Sequence, residues 1–342
     1  MTRISDRART PVAVLGAGSY GTSLAIQYAR TGTPVLLWGR NATAIGAMAS
    51  ARENECYLPG ATFPDGIEPV TDLADALGRC DEALVVVPSH ALRQTLEAMK
   101  VTRRCPERVS WATKGLELET GKLPHEVVGE VLGDAGQHAV LSGPTFAAEL
   151  GRGLPTALTV ASDDEAYATS IAERITDGAF RAYTSGDIVG VEVGGATKNV
   201  MAIGAGISDG LGFGSNARVA LVTRGLSEMM RFGLARGALA ETFMGLAGMG
   251  DLVLTCTDNQ SRNRRMGLAL ASGKTVAEAE AEIQQVVEGV LAARAVHKVA
   301  QDMDVDMPIT EQIFRVLYEG VTPNDAVRAL FQRATGAEFS PG

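Results

Sequence analysis

The sequence predicts an α/β domain built on a mostly parallel sheet, followed by a mainly α-helical domain. Three observations predict this. Residues 11–21, PVAVLGAGSYG, join a short apolar run to a glycine-rich turn that opens a helix. Apolar runs then alternate with helical patterns as far as residue 185. After residue 190 clear strand runs largely vanish, and helical patterns follow one another.

Pro11 to Leu15 suits a buried strand. TSLAIQYARTG reads as a helix, and PVLLWGR at 34–40 returns as the next strand. A helical pattern over 43–58 follows, then DLADALGRC at 72–80 as a helix and ALVVVP at 83–88 as a strongly apolar strand. SHALRQTLEAM restarts a helix, for which Ser89 is the expected N-cap. VSWAT at 109–113 is the next strand, and AVLSGPTFAAEL at 139–150 gives strand, turn and helix. TALTVA at 156–161 and AFRAYTS at 179–185 continue the strands around a helix at 164–176. A long helix beginning near 191 is the expected bridge between a first domain, 1–190, and a second, 191–342. Later helical patterns cover about 262–271, 276–282, 289–303, 309–319 and 323–334.

The chain has 342 residues, enough for two cores, and 46% hydrophobic residues mark an ordinary globular composition. A formal charge of -9 argues against broad nucleic-acid or membrane-surface binding but leaves room for a local positive pocket. The first ten residues are polar, and no long uncharged apolar run follows, so neither a signal peptide nor an integral membrane segment is expected and the cytoplasm is the simplest location. Cys56, Cys80, Cys105 and Cys256 form no C-x-x-C pair and suit isolated thiols. DMDVD at 302–306 begins like a calcium loop but continues with Met307 and Ile313 where Gly and Glu are needed, so no metal is expected. A homodimer is left open.

Gly16, Gly18 and Gly21 form G-x-G-x-x-G between a strand and a helix, the context of a dinucleotide site. The first glycine permits the turn, the second lets backbone approach a pyrophosphate, and the third allows close helix–strand packing. Where an NAD-preferring site carries an acid after the second strand, this chain has Trp38, Gly39, Arg40 and Asn41. Arg40 can pair with a 2'-phosphate, which favours NADPH without excluding NADH; a solvated residue after a strand is the alternative. His90, just past a strand end, is either a cofactor contact or a surface histidine. Lys114 falls in the loop after VSWAT, where open parallel sheets place ligands, and suits a phosphate or carbonyl oxygen as well as solvent. Gly143 and Thr145 can present donors, or serve a turn.

Four features interrupt the helical half. Lys198, beside Asn199 in GGATKNVMAIG, is either a candidate acid or base, because desolvation lowers a lysine's pKa, or a helix-surface lysine. Asp251 either orients a catalytic lysine or caps a helix. Ser261, Arg262 and Asn263 begin SRNRR, a compact donor set for a monophosphate or a solvated basic patch. Glu288, in VVEG, suits a ribose hydroxyl or a helix cap.

Taken together, GAGSYGT, VVVPSH, WATKGLE, SGPTFAAEL, GGATKNVMAIGAGISDG, GLAGMGDLVLTCTDNQSRNRR and VVEG closely resemble the bacterial NAD(P)-dependent sn-glycerol-3-phosphate dehydrogenase family, in the family's order. MPITE and VLYEG extend the match to about residue 320. The resemblance implies a Rossmann domain joined to a helical substrate domain, with the active site in the cleft between them. It implies cofactor contacts at Ser19, Tyr20, Arg40, Lys114, Ala147, Arg262, Val286 and Glu288. It implies substrate contacts at Lys114, Gly143, Thr145, Lys198, Asp251, Ser261, Arg262 and Asn263, with Lys198 catalytic. The implied reaction is reversible reduction of dihydroxyacetone phosphate to sn-glycerol 3-phosphate by NADH or NADPH, supplying phospholipid synthesis. Another hydroxyacid or hydroxyacyl dehydrogenase and a non-catalytic redox sensor are the competing readings.

Overall fold

A computed structural model describes residues 10–332. The polar opening stretch through residue 9, and the end of the second expected domain from 333, lie outside the described residues. Contacts divide the chain into two units. One runs to Gly195 and takes in Gly237–Asp251; the other comprises Ala196–Arg236 and the chain from Leu252. The expected boundary at 190/191 falls inside one continuous helix, which is why no linker marks it.

The first unit holds an eight-stranded sheet: β1 (Val12–Leu15), β2 (Val35–Trp38), β3 (Ile67–Val70), β4 (Glu82–Val85), β5 (Arg108–Trp111), β6 (Gln137–Ser142), β7 (Thr156–Ala161) and β8 (Phe180–Ser185). Their order is β3-β2-β1-β4-β5-β6-β7-β8, and every pair is parallel except β6–β7. Strand order reverses beside β1, where a doubly wound sheet opens its ligand crevice. Helices cover both faces: α1 (Ser19–Arg30), α2 (Ala42–Ala51), α3 (Leu73–Gly78), α4 (Ser89–Val101), α5 (Pro124–Leu132), α6 (Ala147–Arg152) and α7 (Glu165–Ile175).

Alternate residues of one strand enter opposite cores. Val12 and Val14 pack with Leu24, Ile26 and Ile171, whereas Ala13 and Leu15 pack with Leu96, Trp111 and Val128. This explains why β1 reads as unbroken apolar sequence: both faces are buried. β3, IEPV, has no such signature. Pro69 is tolerated because β3 lies at the sheet edge. Ser89 is not the cap expected of it. It is the first helical residue of α4, Pro88 holds the N-cap position, and no side chain caps that end.

The second unit is helical. Its first element is the second half of α8 (Ile188–Gly210), followed by α9 (Gly214–Ala235). A short α10 (Ala240–Phe243) and a π-helical turn at Leu246–Gly250 belong to the first unit. Then come α11 (Asp251–Thr257), α12 (Arg262–Ala271), α13 (Val276–Ile283), α14 (Glu288–Asp302), α15 (Pro308–Tyr318) and α16 (Pro323–Phe331). Val200, Met201, Ile203 and Ile207 of α8 are buried. The α8 and α12 backbones touch because both lack side chains at the crossing. A Cβ on Gly267 would stand 2.0 Å from the Ile203 carbonyl oxygen, and one on Gly206 would stand 2.1 Å from that of Arg264. No helix among the described residues is long and apolar enough to cross a membrane.

Candidate active site

The three glycines after β1 have separate tasks. Gly16 has φ +127°, and a Cβ there would lie 2.1 Å from the Val86 carbonyl oxygen. A Cβ on Gly21 would lie 1.9 Å from the Gly16 carbonyl oxygen, so this position lets α1 pack against the turn. Gly18 differs: its backbone is extended, and an added Cβ would meet nothing within 4 Å. It is the N-cap of α1, without a side-chain cap. Open space in front of uncapped helix amides fits an anionic pyrophosphate. At the end of β2, Arg40 is exposed, and Asn41 caps α2 by accepting from the Ala44 N–H at 3.1 Å. No carboxylate stands between Trp38 and Asn41. His90 is exposed on the first turn of α4.

Five of the expected residues meet at the carboxyl ends of β5 and β6. Lys114, just past β5, donates to Asp251 Oδ2 at 2.7 Å and to the Gly143 carbonyl oxygen at 3.4 Å. Its side chain is 12% exposed and that of Asp251 only 1%. Its ammonium lies 5.7 Å from the centre of the Tyr20 ring. Burial raises the pKa of the Tyr20 hydroxyl, opposed by the Lys114 charge, and the Tyr20 and Thr145 hydroxyls are both buried without a hydrogen-bond partner among the described residues. Gly143 has φ +154°, and a Cβ there would press on Leu158 Cα at 2.8 Å, so the position requires glycine. Ala147 begins α6. A buried ion pair gains little net stability over apolar packing. Its place beside the glycine turn, with an aromatic hydroxyl and a threonine hydroxyl, is the arrangement of a polar ligand site.

In the helical unit, Lys198 is 7% exposed and donates to the Thr255 hydroxyl on α11 at 3.1 Å. On the next residue of α8, Asn199 Oδ1 accepts from Asn263 Nδ2 at 2.8 Å, and Asn263 Oδ1 accepts from the Gly289 N–H at 2.8 Å. Gly289 must lack a side chain, because a Cβ would lie 2.7 Å from both the Asn199 carbonyl oxygen and Asn263 Oδ1. Ser261 caps α12 by accepting from the Arg264 N–H at 3.2 Å. The donor cluster thus divides. Asn263 ties three helices together and keeps one amide N–H, while Arg264 is buried and paired with Asp209. Arg262 is the half-buried first residue of α12, and Glu288 opens α14 beside exposed Val286. The role of Thr255 had no sequence signal, since its partner lies 57 residues away.

Among the described residues no group of three or more His, Cys, Asp or Glu side chains could hold a metal ion. The four cysteines are free, and burial pushes the Cys80 thiol up to about 12.

A doubly wound sheet, three glycines with these separate tasks, and a buried lysine–carboxylate pair at the strand ends define a dinucleotide-dependent dehydrogenase. Comparison with known proteins gives the family. Residues 11–168 match the model of the NAD-dependent glycerol-3-phosphate dehydrogenase N-terminus, and residues 187–328 match that of the C-terminus. An NAD(P)+ glycerol-3-phosphate dehydrogenase of Methylococcus capsulatus is 54% identical over 329 residues, 96% of this chain and 98% of its own. One from Tolumonas auensis is 53% identical over 94% of this chain and 97% of its own. The crystal structure of glycerol-3-phosphate dehydrogenase from Coxiella burnetii superposes with a TM-score of 0.92, at 44% identity, over 96% of this chain and all of that one. The chain belongs to the NAD-dependent glycerol-3-phosphate dehydrogenase family.

Proposed function

We propose that Lys198 is the acid and base in a reversible reduction of dihydroxyacetone phosphate to sn-glycerol 3-phosphate. The chain is an oxidoreductase of the CH–OH group that uses NAD(P)(H) and interconverts these two compounds. The bound nicotinamide supplies the hydride. In the reduction Lys198 Nζ gives its proton to the ketone oxygen as negative charge develops there; in the oxidation the neutral amine takes the hydroxyl proton. Lys114, held by Asp251, orients cofactor and substrate, with Gly143 and Thr145 beside it. Ser19, Tyr20, Ala147, Val286 and Glu288 contribute further cofactor contacts. Ser261, Arg262 and the spare amide N–H of Asn263 hold the substrate phosphate, a remote grip that fixes the carbonyl in place.

One observation carries this reading. Buried Lys198 sits one residue from the hydrogen-bonded chain Asn199–Asn263–Gly289. The proton donor and the phosphate-end helix are therefore joined inside a single unit. Exposed Arg40, with no nearby acid after β2, supports preference for NADPH. Supply of glycerol 3-phosphate to phospholipid synthesis, a cytoplasmic location and a homodimer complete the proposal; light scattering on the eluted protein measures the last.

Arg262→Ala tests the phosphate grip. Loss of a charge-assisted contact is expected to lower kcat/KM for dihydroxyacetone phosphate by about 10- to 100-fold. Phosphate-free dihydroxyacetone should lose much less, only what a weaker coenzyme contact at Arg262 costs. Equal loss on both ketones contradicts the assignment.

A further inference from the structure

The first half of α8 carries an ionisable side chain that the reaction does not use. Glu192 is buried, and its carboxylate meets three donors. Oε1 accepts from Trp111 Nε1 at 2.8 Å and from the His125 backbone N–H at 2.9 Å; Oε2 lies 2.6 Å from His125 Nδ1. Trp111 ends β5, three residues before Lys114, and His125 is the second residue of α5. One carboxylate thus fastens α8 to the strand that delivers Lys114 and to the helix after its loop.

One turn along α8, Gly195 faces Lys114 and Gly194 faces the turn that precedes Asp251. A Cβ on Gly195 would lie 3.4 Å from Lys114 Cγ and 3.2 Å from Ser142 Oγ. A Cβ on Gly194 would lie 2.3 Å from the Ala247 carbonyl oxygen, in the π-helical turn that runs into Asp251. The stretch 192–195 is therefore a plate against which both partners are seated, Lys114 directly and Asp251 through the turn before it. Rotation of α8 by a fraction of a turn would drive it into Lys114 or into the turn before Asp251. Apolar packing alone resists such rotation weakly, because it has no preferred direction. Three hydrogen bonds converging on one buried carboxylate supply that direction.

We propose that Glu192, held by Trp111 and His125, is a positioning residue for the reaction, setting the Lys114–Asp251 pair without touching substrate or cofactor. The proposal rests on the reading of Lys114 as a cofactor and substrate contact. Glu192→Gln can keep the arrangement: its carbonyl oxygen accepts from Trp111 and the His125 N–H, and its amide donates to Nδ1 of the neutral imidazole. Glu192→Leu fills the space without the bonds. His125→Asn keeps a side-chain N–H near Nδ1, and His125→Ala removes it.

The experiment measures kcat and KM on folded enzyme well below the melting transition. It also measures acylation of the Lys114 amine by peptide mapping. Glu192→Leu should lower kcat/KM for dihydroxyacetone phosphate at least about tenfold and raise Lys114 acylation at least about fivefold, since small misplacements of an orienting group are costly. His125→Ala should move both readouts in the same direction, and serves alone if Glu192→Leu does not fold. Glu192→Gln and His125→Asn should restore both to within about threefold of wild type. Wild-type kinetics and Lys114 acylation in Glu192→Leu or His125→Ala overturn the proposal, as does failure of both conservative variants to restore them. Lys114→Ala separates the two levels. Wild-type kinetics there refute the reading of Lys114, whereas a collapse there with silent Glu192 and His125 variants refutes only the positioning role.

Discussion

Arg40 and Asn263 show what a single residue's surroundings add to its identity. Both were legible as donors, and only their neighbours separate them. Arg40 stands exposed after β2, the strand end at which sheets of this class read the ribose. Its replacement by Ala is expected to raise KM for NADPH about tenfold or more while changing KM for NADH less than about threefold. Steady-state kinetics with both coenzymes measure this, and equal losses would show that Arg40 does not read the 2'-phosphate. Asn263 reads in sequence as a phosphate donor, yet its oxygen and one N–H are committed to Gly289 and Asn199. No local pattern reveals that, because the partners lie 64 and 26 residues away. Glu192 carries no sequence signal for a related reason. A lone acid in the small-residue run GVEVGG has no periodic partner in sequence, and its donors come from β5 and α5.

At the level of elements, legibility followed the strength of the local signal. β1 is apolar on both faces and the sequence places it within a residue of its ends; β7 matches 156–161, whereas the apolar run 83–88 continues three residues past the end of β4. The edge strand β3, with Glu68 and Pro69, and the helix α5, HEVVGEVL behind Pro124, carry no such signal. The turn into α1 offers the sharpest test at this scale, because its glycines differ in what a methyl group would meet. Gly18→Ala should leave the melting temperature unchanged, since nothing lies within 4 Å of the new Cβ. It should weaken coenzyme binding about tenfold by intruding on the pyrophosphate path. Gly21→Ala should do the reverse first, costing about 1–3 kcal/mol of stability through contact with the Gly16 carbonyl. Thermal melts and coenzyme titration by fluorescence distinguish the two. A Gly18→Ala enzyme with normal coenzyme affinity would place the pyrophosphate elsewhere.

For the molecule as a whole, the buried carboxyl that links stability to pH is separate from the lysine proposed for catalysis. Glu228 on α9 accepts from the Ile309 and Thr310 N–H groups at the start of α15, and burial pushes its carboxyl from 4.5 up to about 7. A carboxyl whose proton is held more tightly in the fold contributes stability that is full below pH about 4.5 and is lost as pH rises through about 7. The loss is at most about 3 kcal/mol. The melting temperature of the helical unit is expected to fall between pH 5 and 8 and to flatten in Glu228→Gln; parallel curves for the two proteins would contradict this. The proposed proton donor, Lys198, is a separate buried group. The most direct measurement is kcat for dihydroxyacetone phosphate in Lys198→Ala, with coenzyme affinity measured alongside. A fall of about 100-fold or more with coenzyme binding intact is the expected result. A folded variant turning over at near the wild-type kcat would contradict the assignment of the proton to this lysine.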